Sequence, residues 1–239
     1  MRALCLTLTM CICGAAATAQ PVLFDFDNAP LRTPLPITLT VGGITAHMSA
    51  DPWYYNYSVQ SADVLGFTPV GFAGRCIYPN AVFKCDLLAS FSVPIQEFSI
   101  LYAVQDLYCD SAATMRVTVY MDDAFVATTT FVGNNDAYWP TSTLAISTSE
   151  PFNKAVVHYE TPPACGDWGP IFMADNMRVT PAPAPCAADF NGDGSVNTLD
   201  VLAFLNAWSA GDPSGDFNGD GTINTLDVLA FLNAWSAGC

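Results

Sequence analysis

Apolar and polar residues follow two different rhythms in this chain. Between residues 20 and 180, short runs rich in β-branched and aromatic residues alternate apolar with polar, and turn residues interrupt them about every 8 to 12 positions, a pattern of half-buried antiparallel strands. Arg116-Val117-Thr118-Val119-Tyr120 alternates most clearly. The predicted strands cover residues 22–27, 37–40, 44–49, 55–60, 87–91, 97–104, 114–121, 125–131, 144–147, 155–159 and 172–180. Val41-Gly42-Gly43 and Asp122-Asp123-Ala124 read as hairpin turns between neighbouring runs. At ~160 residues this stretch is long enough to bury a core of its own.

The rhythm changes after Pro181-Ala182-Pro183-Ala184-Pro185, an alternating proline segment that favours an extended, semi-rigid spacer. Beyond it, at ~100° per residue, Val201, Leu202, Phe204, Leu205 and Trp208 cover an arc of roughly 160°, with Leu199 away from it, which predicts a helix. Asn197 or Thr198 can cap its start and Gly211 its end. The same run recurs 27 residues later. Residues 189–211 read DFNGDGSVNTLDVLAFLNAWSAG and residues 216–238 read DFNGDGTINTLDVLAFLNAWSAG, differing only at Ser195/Thr222 and Val196/Ile223. Two copies in register make one supersecondary unit used twice.

Each copy opens on an oxygen-rich loop. A hard dication takes six to eight oxygens, and Asp189, Asn191, Asp193, the Ser195 carbonyl, Asn197 and Asp200 occupy positions 1, 3, 5, 7, 9 and 12 of a calcium-loop pattern, with Gly194 at the sharp turn. Asp216, Asn218, Asp220, Thr222, Asn224 and Asp227 repeat it, with Gly221 at the turn. Position 12 is Asp where the usual loop has Glu, so the helix start must approach the ion more closely. Two Ca2+ ions are the expected cofactors. The helical arc is wide for a ~50-residue unit, which leaves part of it for a partner or for packing helix against helix.

A calcium loop, one helix, a linker and the same again, with no helix entering either loop, resembles the type I dockerin. The resemblance covers residues 189–238. It implies an EF-hand-like module that folds on calcium and plugs into a cohesin-like receptor on a scaffold protein or cell surface, usually at the end of a secreted glycan-degrading enzyme. It also implies partner-reading residues at the helix starts, Thr198/Leu199 and Thr225/Leu226, and farther along each helix, where the apolar candidates are Phe204, Leu205 and Trp208 with their twins Phe231, Leu232 and Trp235. The ending Gly238-Cys239 resembles a dockerin subgroup with a terminal Gly-Cys.

Residues 1–19 combine Arg2, an apolar run over residues 3–13 and the small residues Ala17-Thr18-Ala19, the pattern of a secretory signal peptide cleaved before Gln20. The expected organisation is therefore a signal peptide (1–19), a β-sandwich (20–180), a Pro/Ala linker (181–185) and the dockerin-like module (186–239), in a secreted, extracellular or surface-associated protein. Cys76, Cys85, Cys109, Cys165, Cys186 and Cys239 remain after cleavage, an even set suited to an oxidising compartment. Cys186 and Cys239 flank the repeats and are expected to close the module. A loop of about 50 residues gains roughly 4 kcal/mol in the chain-entropy model. Cys239 as a covalent attachment point is the alternative. For the others the favoured pairs are Cys76 with Cys85 and Cys109 with Cys165.

Charge narrows the partners. Seven Lys plus Arg stand against 22 Asp plus Glu, a formal charge of −15. No basic residue follows Arg178, while seven Asp lie between Asp189 and Asp227. That balance argues against nucleic acid or an anionic membrane, and no stretch after the signal is long and apolar enough to cross a bilayer.

The sandwich resembles secreted jelly-roll domains of the carbohydrate-binding type through Phe24-Asp25-Phe26-Asp27-Asn28 and Met173-Ala174-Asp175-Asn176-Met177. The resemblance implies neighbouring first and last strands, with Asp27 and Asp175 as candidate ligands of a second-domain metal; ordinary strand-end turns are the other reading. Trp53, Tyr54, Tyr55 and Tyr57 are the candidate glycan contacts, because aromatic faces stack on sugar rings; core packing competes with that role. Enzyme chemistry is poorly specified. Glu97, Glu150 and Glu160 stand alone rather than as the paired carboxylates a glycosidase needs, and His47 and His158 lie in no hydrolase motif and read as solvent-facing strand residues. The fold class expected is thus mostly β, an antiparallel jelly-roll-like sandwich followed by a small α-helical double calcium-loop module. The function expected is an exported noncatalytic protein, docked by its tail, with a sandwich that binds glycan. A dockerin-borne polysaccharide hydrolase and a purely structural surface protein are the alternatives.

Overall fold

The computed structural model describes residues 20–105, 114–132, 139–161, 171–183 and 186–238. The expected signal segment, Cys109, Cys165 and Cys239 lie outside them. The chain divides into two compact units, Ala19–Ala182 and Pro183–Cys239. No helix among the described residues is long and apolar enough to cross a membrane.

The first unit is a mostly β, antiparallel sandwich. Its strands are β1 (Val22–Phe24), β2 (Ile37–Val41), β3 (Ile44–Asp51), β4 (Tyr57–Ser61), β5 (Arg75–Pro79), β6 (Asp86–Val104), β7 (Thr114–Met121), β8 (Ala124–Val132), β9 (Thr141–Thr161) and β10 (Phe172–Pro181). β2 turns into β3 through Gly42 and Gly43, with φ of 55° and 81°, and β7 turns into β8 through Asp122 and Asp123, with φ of 48° and 68°. Positive φ at both central residues gives the hairpin turn whose twist suits the flanking strands.

Two long strands build the layers. Residues 87–90 of β6 pair with β3 and with the C-terminal half of β9, whereas residues 97–103 pair with β10 and the N-terminal half of β9. The runs expected as separate strands, 87–91 with 97–104 and 144–147 with 155–159, are therefore continuous. Between the halves the inward phase flips: Leu87, Ala89 and Phe91 are buried before the break, and Phe98, Ile100 and Tyr102 after it. β9 flips likewise, from Leu144 and Ile146 to Ala155, Val157 and Tyr159. Register shifts at Ser90/Ile95 and Ile95/Glu97 mark the place. Extra residues at an irregularity bend a strand and change which side chains face the core, and Pro94 and Pro151 are tolerated there because the ladder is already interrupted. β5 has no counterpart among the predicted strands; its five residues, preceded by Gly74 and ending on Pro79, hold too little alternation to register as a strand.

The layers enclose one apolar cluster that includes Phe24, Tyr57, Ile77, Phe98, Ile100, Phe152 and Phe172. A smaller cluster of Ala62, Phe72, Cys76, Ala103, Trp139, Ile171 and Met173 lies apart from it. The expected Cys76–Cys85 bridge does not form. Both thiols are free and buried, Cys85 in the large cluster and Cys76 in the small one. Burial, the larger cause in each case, pushes both up to about 12, so they behave as small apolar side chains.

The second unit holds α1 (Thr198–Ala210), a 3-10 turn (Pro213–Gly215) and α2 (Thr225–Ala237). Asn197 and Asn224 cap the helices in full capping boxes with Asp200 and Asp227, and Gly211 ends α1 in the left-handed conformation. Gly215 is needed for closeness. A Cβ there would stand 2.8 Å from the Trp208 Cα, so the chain between the repeats packs directly on the α1 backbone. The core is aromatic: Phe204 and Phe231 stack at 4.3 Å with 14° between their planes, and Phe190 and Phe217 set their edges against them. Cys186 is in a disulfide. Cys239, the partner expected for it, lies outside the described residues.

Candidate functional site

In the tail, loop geometry follows from two glycines per copy. Gly192 and Gly194 have φ of 73° and 82°, and Gly219 and Gly221 have 72° and 82°, a conformation that folds successive N–H groups inward. The Asp189 carboxylate accepts from the Asp193 N–H at 3.0 Å and the Gly194 N–H at 2.7 Å. Asp200 reaches back across the loop, accepting from the Asn191 N–H at 3.2 Å and the Asn197 N–H at 2.7 Å. The second loop repeats these bonds through Asp216 and Asp227. Asp200 and Asp227 have no exposed surface. Main-chain N–H groups, those of Asn197 and Asn224 first, hold their carboxyls below the usual range.

These rings contain only oxygen donors suited to a hard cation: carboxylates, asparagine amides and a main-chain carbonyl. Asp193 is turned to the Ser195 N–H and the Asn191 amide, and Asp220 likewise to Thr222 and Asn218. Accordingly, no three His, Cys, Asp or Glu groups among the described residues are gathered as a metal cluster. An oxygen-only donor set of this kind has the chemistry that calcium takes. Two ionised, fully buried carboxylates with no basic side chain after Arg178 are the feature of this unit that favours a cation.

Of the expected partner-reading residues, Thr198, Leu199, Leu205 and their twins Thr225, Leu226, Leu232 are exposed. Phe204 and Phe231 are not available: they are the fully buried centre of the module. Trp208 and Trp235 are half-buried and pinned, each indole N–H donating to a main-chain carbonyl of the other repeat. Leu202 and Leu229, absent from the expected set, are 56% and 57% exposed. They complete the stripes Leu199-Leu202-Leu205 and Leu226-Leu229-Leu232. Steps of three residues keep such side chains on one side of a helix.

In the sandwich, Trp53 is 77% exposed, and Tyr54 and Phe83 are exposed beside it. Trp53 meets Tyr54 edge-on at 6.0 Å, Tyr54 meets Tyr55 at 4.7 Å, and Tyr55 stacks on Phe83 at 4.6 Å. Phe83, not among the predicted contacts, lies in another segment of the chain and is brought near as the Cys85 thiol contacts the Pro52 carbonyl and Asp51 pairs with Asp86. Tyr57 does not join them. It is buried, its hydroxyl donates to the Cys85 carbonyl at 2.7 Å, and its ring packs against Phe172.

Asp27 and Asp175 come together. β1 pairs with β10, Asp175 Oδ2 accepts from the Ala73 N–H at 3.2 Å, and Asp27 Oδ1 accepts from the Arg75 N–H at 2.6 Å. The intervening Gly74 admits no side chain, since a Cβ would fall on the Asp27 carboxylate. Burial, reinforced by the nearby Asp27 and Asp25 charges, lifts Asp175 to about 7. A carboxyl raised in the folded state costs stability once the unfolded chain ionises. The metal-free sandwich is therefore expected to lose stability as pH rises from about 4 to about 7 and to level off above that. Denaturant unfolding in chelator should trace this fall, and Asp175→Asn should flatten it; an equal slope in both proteins refutes the assignment.

His47 is exposed as expected, with Thr38 Oγ1 3.0 Å from its Nδ1. His158 is not solvent-facing. It is largely buried between Asp86 at 2.5 Å and Glu160 at 3.5 Å, and Glu160 also pairs with Arg116 at 2.6 Å. Glu97 accepts from the Thr180 hydroxyl.

No protein-family model matches the sequence, and no curated protein matches it significantly. Among solved structures, the K2 cleaved adhesin domain of Lys-gingipain is similar at 12% identity and a TM-score of 0.44, over 68% of this chain and 98% of that one. A family 35 carbohydrate-binding module from Clostridium thermocellum is similar at 15% identity and a TM-score of 0.33, over 69% and 100%. A family 29 carbohydrate-binding module solved with mannohexaose is similar at 13% identity and a TM-score of 0.35, over 68% and 92%. Likeness at this level carries no consequence for what the present chain binds.

Proposed function

We propose that this is an exported, noncatalytic protein whose sandwich binds glycan and whose calcium-loaded, dockerin-like tail docks it on a cohesin-like receptor outside the cell. The observation that supports the reading is the pair of loops with the same hydrogen bonds, each closed by a fully buried carboxylate at a capped helix start. The two exposed leucine stripes supply apolar contact of the kind that anchors a protein partner.

The test uses the purified full chain and the surface fraction of the producing cell. Retention of a surface protein in calcium, release by chelator and loss in a Leu202→Asp/Leu229→Asp double variant of unchanged helix content are expected. Binding indifferent to calcium and to both leucines refutes docking.

The glycan reading rests on the Trp53–Tyr54–Tyr55–Phe83 cluster. Trp53→Ala and Phe83→Ala should each weaken retention in polysaccharide affinity electrophoresis tenfold or more, roughly 1.4 kcal/mol. Loss of so exposed a ring as Trp53 should leave unfolding within about 0.5 kcal/mol of the parent. If the unsubstituted chain migrates unretarded through every neutral and acidic polysaccharide tried, the sandwich is a structural element instead.

A further inference from the structure

We infer that Asn191-Gly192 and Asn218-Gly219 are sites of spontaneous deamidation guarded by calcium, so that a tail left without the ion is chemically altered in both loops. The guarding rests on the calcium reading above; the reaction itself does not.

These are the two Asn–Gly bonds of the chain. Glycine carries no Cβ, so its main-chain nitrogen can close on the amide carbon of the preceding asparagine, where a larger residue is held off. The Gly192 nitrogen attacks Asn191 Cγ and forms a C–N bond, while the side-chain nitrogen takes the displaced proton and leaves as ammonia. Water then opens the resulting succinimide at either carbonyl. One product is aspartate; the other is isoaspartate, in which the main chain runs through the side-chain carbon. The same steps apply to Gly219 and Asn218.

The structure leaves these two nitrogens open and closes their neighbours. Asn191, Gly192, Asn218 and Gly219 are exposed. A Cβ placed on either glycine meets nothing within 4 Å, and neither glycine N–H has an acceptor among the described residues. Asp193-Gly194 and Asp220-Gly221 could reach the same succinimide by losing water, but there the attacking nitrogen is engaged. Gly194 donates to Asp189 at 2.7 Å and Gly221 to Asp216 at 2.8 Å. Asn197 and Asn224 are followed by β-branched threonines and cap the helices.

Only the amide end is restrained, and by one residue. Asn191 Oδ1 accepts from the Asp193 N–H at 2.9 Å and its Nδ2 donates to the Asp193 carboxylate at 2.9 Å; Asp220 holds Asn218 in the same way. Those bonds last as long as the loop is closed, and a cation that binds the closed loop keeps it so. Opening frees the amide to swing onto the glycine nitrogen. The outcome runs one way, because isoaspartate inserts a carbon into the main chain between Asp189 and Asp193, whose mutual bond at 3.0 Å fixes the ring. A loop that has stood open long enough to react cannot close on calcium again.

Parallel incubation of the purified full chain in chelator and in calcium tests this, read by peptide mass mapping and by enzymatic methyl labelling of isoaspartate. In chelator, Asn191 and Asn218 should convert ahead of every other asparagine. Calcium at a hundredfold excess over its calorimetric dissociation constant should slow both at least about tenfold, since it lowers the open fraction by up to about a hundredfold. After chelator ageing, returned calcium should give less heat in proportion to the isoaspartate formed, whereas fresh Asn191→Asp/Asn218→Asp, which carries the aspartate product alone, should still bind.

Asn191 and Asn218 intact in chelator, over a time in which a free FNGDG peptide converts, overturns the assignment. Calcium heat with equal rates in both solutions keeps the calcium reading and overturns the guarding. No calcium heat at the outset overturns that reading and the guarding with it, and the chelator arm alone then decides the reaction. Isoaspartate forming faster at Asp193 or Asp220 than at the two asparagines in calcium overturns the argument from the open glycine nitrogens.

Discussion

Chelating calcium is expected to abolish the helices of residues 186–239 while the strands of the sandwich stay folded. Seven Asp lie between Asp189 and Asp227 with no basic side chain among or after them, so without a cation the module must fold against its own charge. Its apolar core is little more than two stacked phenylalanines with two more edge-on. A ~50-residue unit with so small a core has no more than about 3 to 5 kcal/mol of its own to draw on and needs further support. Ligand that binds only the folded form adds about 2.7 kcal/mol at a hundredfold excess over its dissociation constant, which is enough to decide whether such a unit is folded. Far-UV dichroism of the full chain should lose its helical component in chelator and regain it with calcium but not with sodium. The sandwich has its own cluster of buried strand residues and should still unfold in one later thermal transition. Helical signal untouched by chelator means that the loops stand without an ion.

How far the sequence leads is decided by whether a feature is local. The caps, the left-handed Gly211 stop and the two loops all use residues within one 23-residue copy, and each takes the conformation its residue types favour. Alternation likewise marks β7 and both hairpin turns. What was hidden depends on segments far apart in the chain. Pro94 and Pro151 read locally as strand breaks, yet the pairing continues past each because the neighbouring strands supply the ladder on either side of an irregularity. An arc of 160° on a helix does not say which third of it faces its twin. Pairing about Phe204 and Phe231 turns Leu202 and Leu205 outward and draws Trp208 to the opposite loop. Phe83 joins the aromatic cluster only after β3 and β6 align Asp51 with Asp86.

Phe204→Ala is expected to unfold the tail at a calcium concentration that keeps the parent folded, and Phe231→Ala to do the same by a similar margin. Each ring is fully buried, stacked on the other and edged by Phe190 and Phe217. Truncating a buried phenylalanine costs about 3 to 5 kcal/mol, which matches or exceeds what so small a core supplies. Leu202→Ala, two residues away on the same helix but 56% exposed, should change stability by about 0.5 kcal/mol or less while weakening docking. The contrast separates core from contact surface on a single helix, and it has a further signature. Calcium stabilises only the folded module, so raising its concentration should restore helix in Phe204→Ala and shift its melting upward, whereas no calcium concentration should restore docking to Leu202→Ala. If Phe204→Ala melts with the parent, the ring stack is not the core of the module, and the leucine stripes would have to be reconsidered as the surface that the two helices bury.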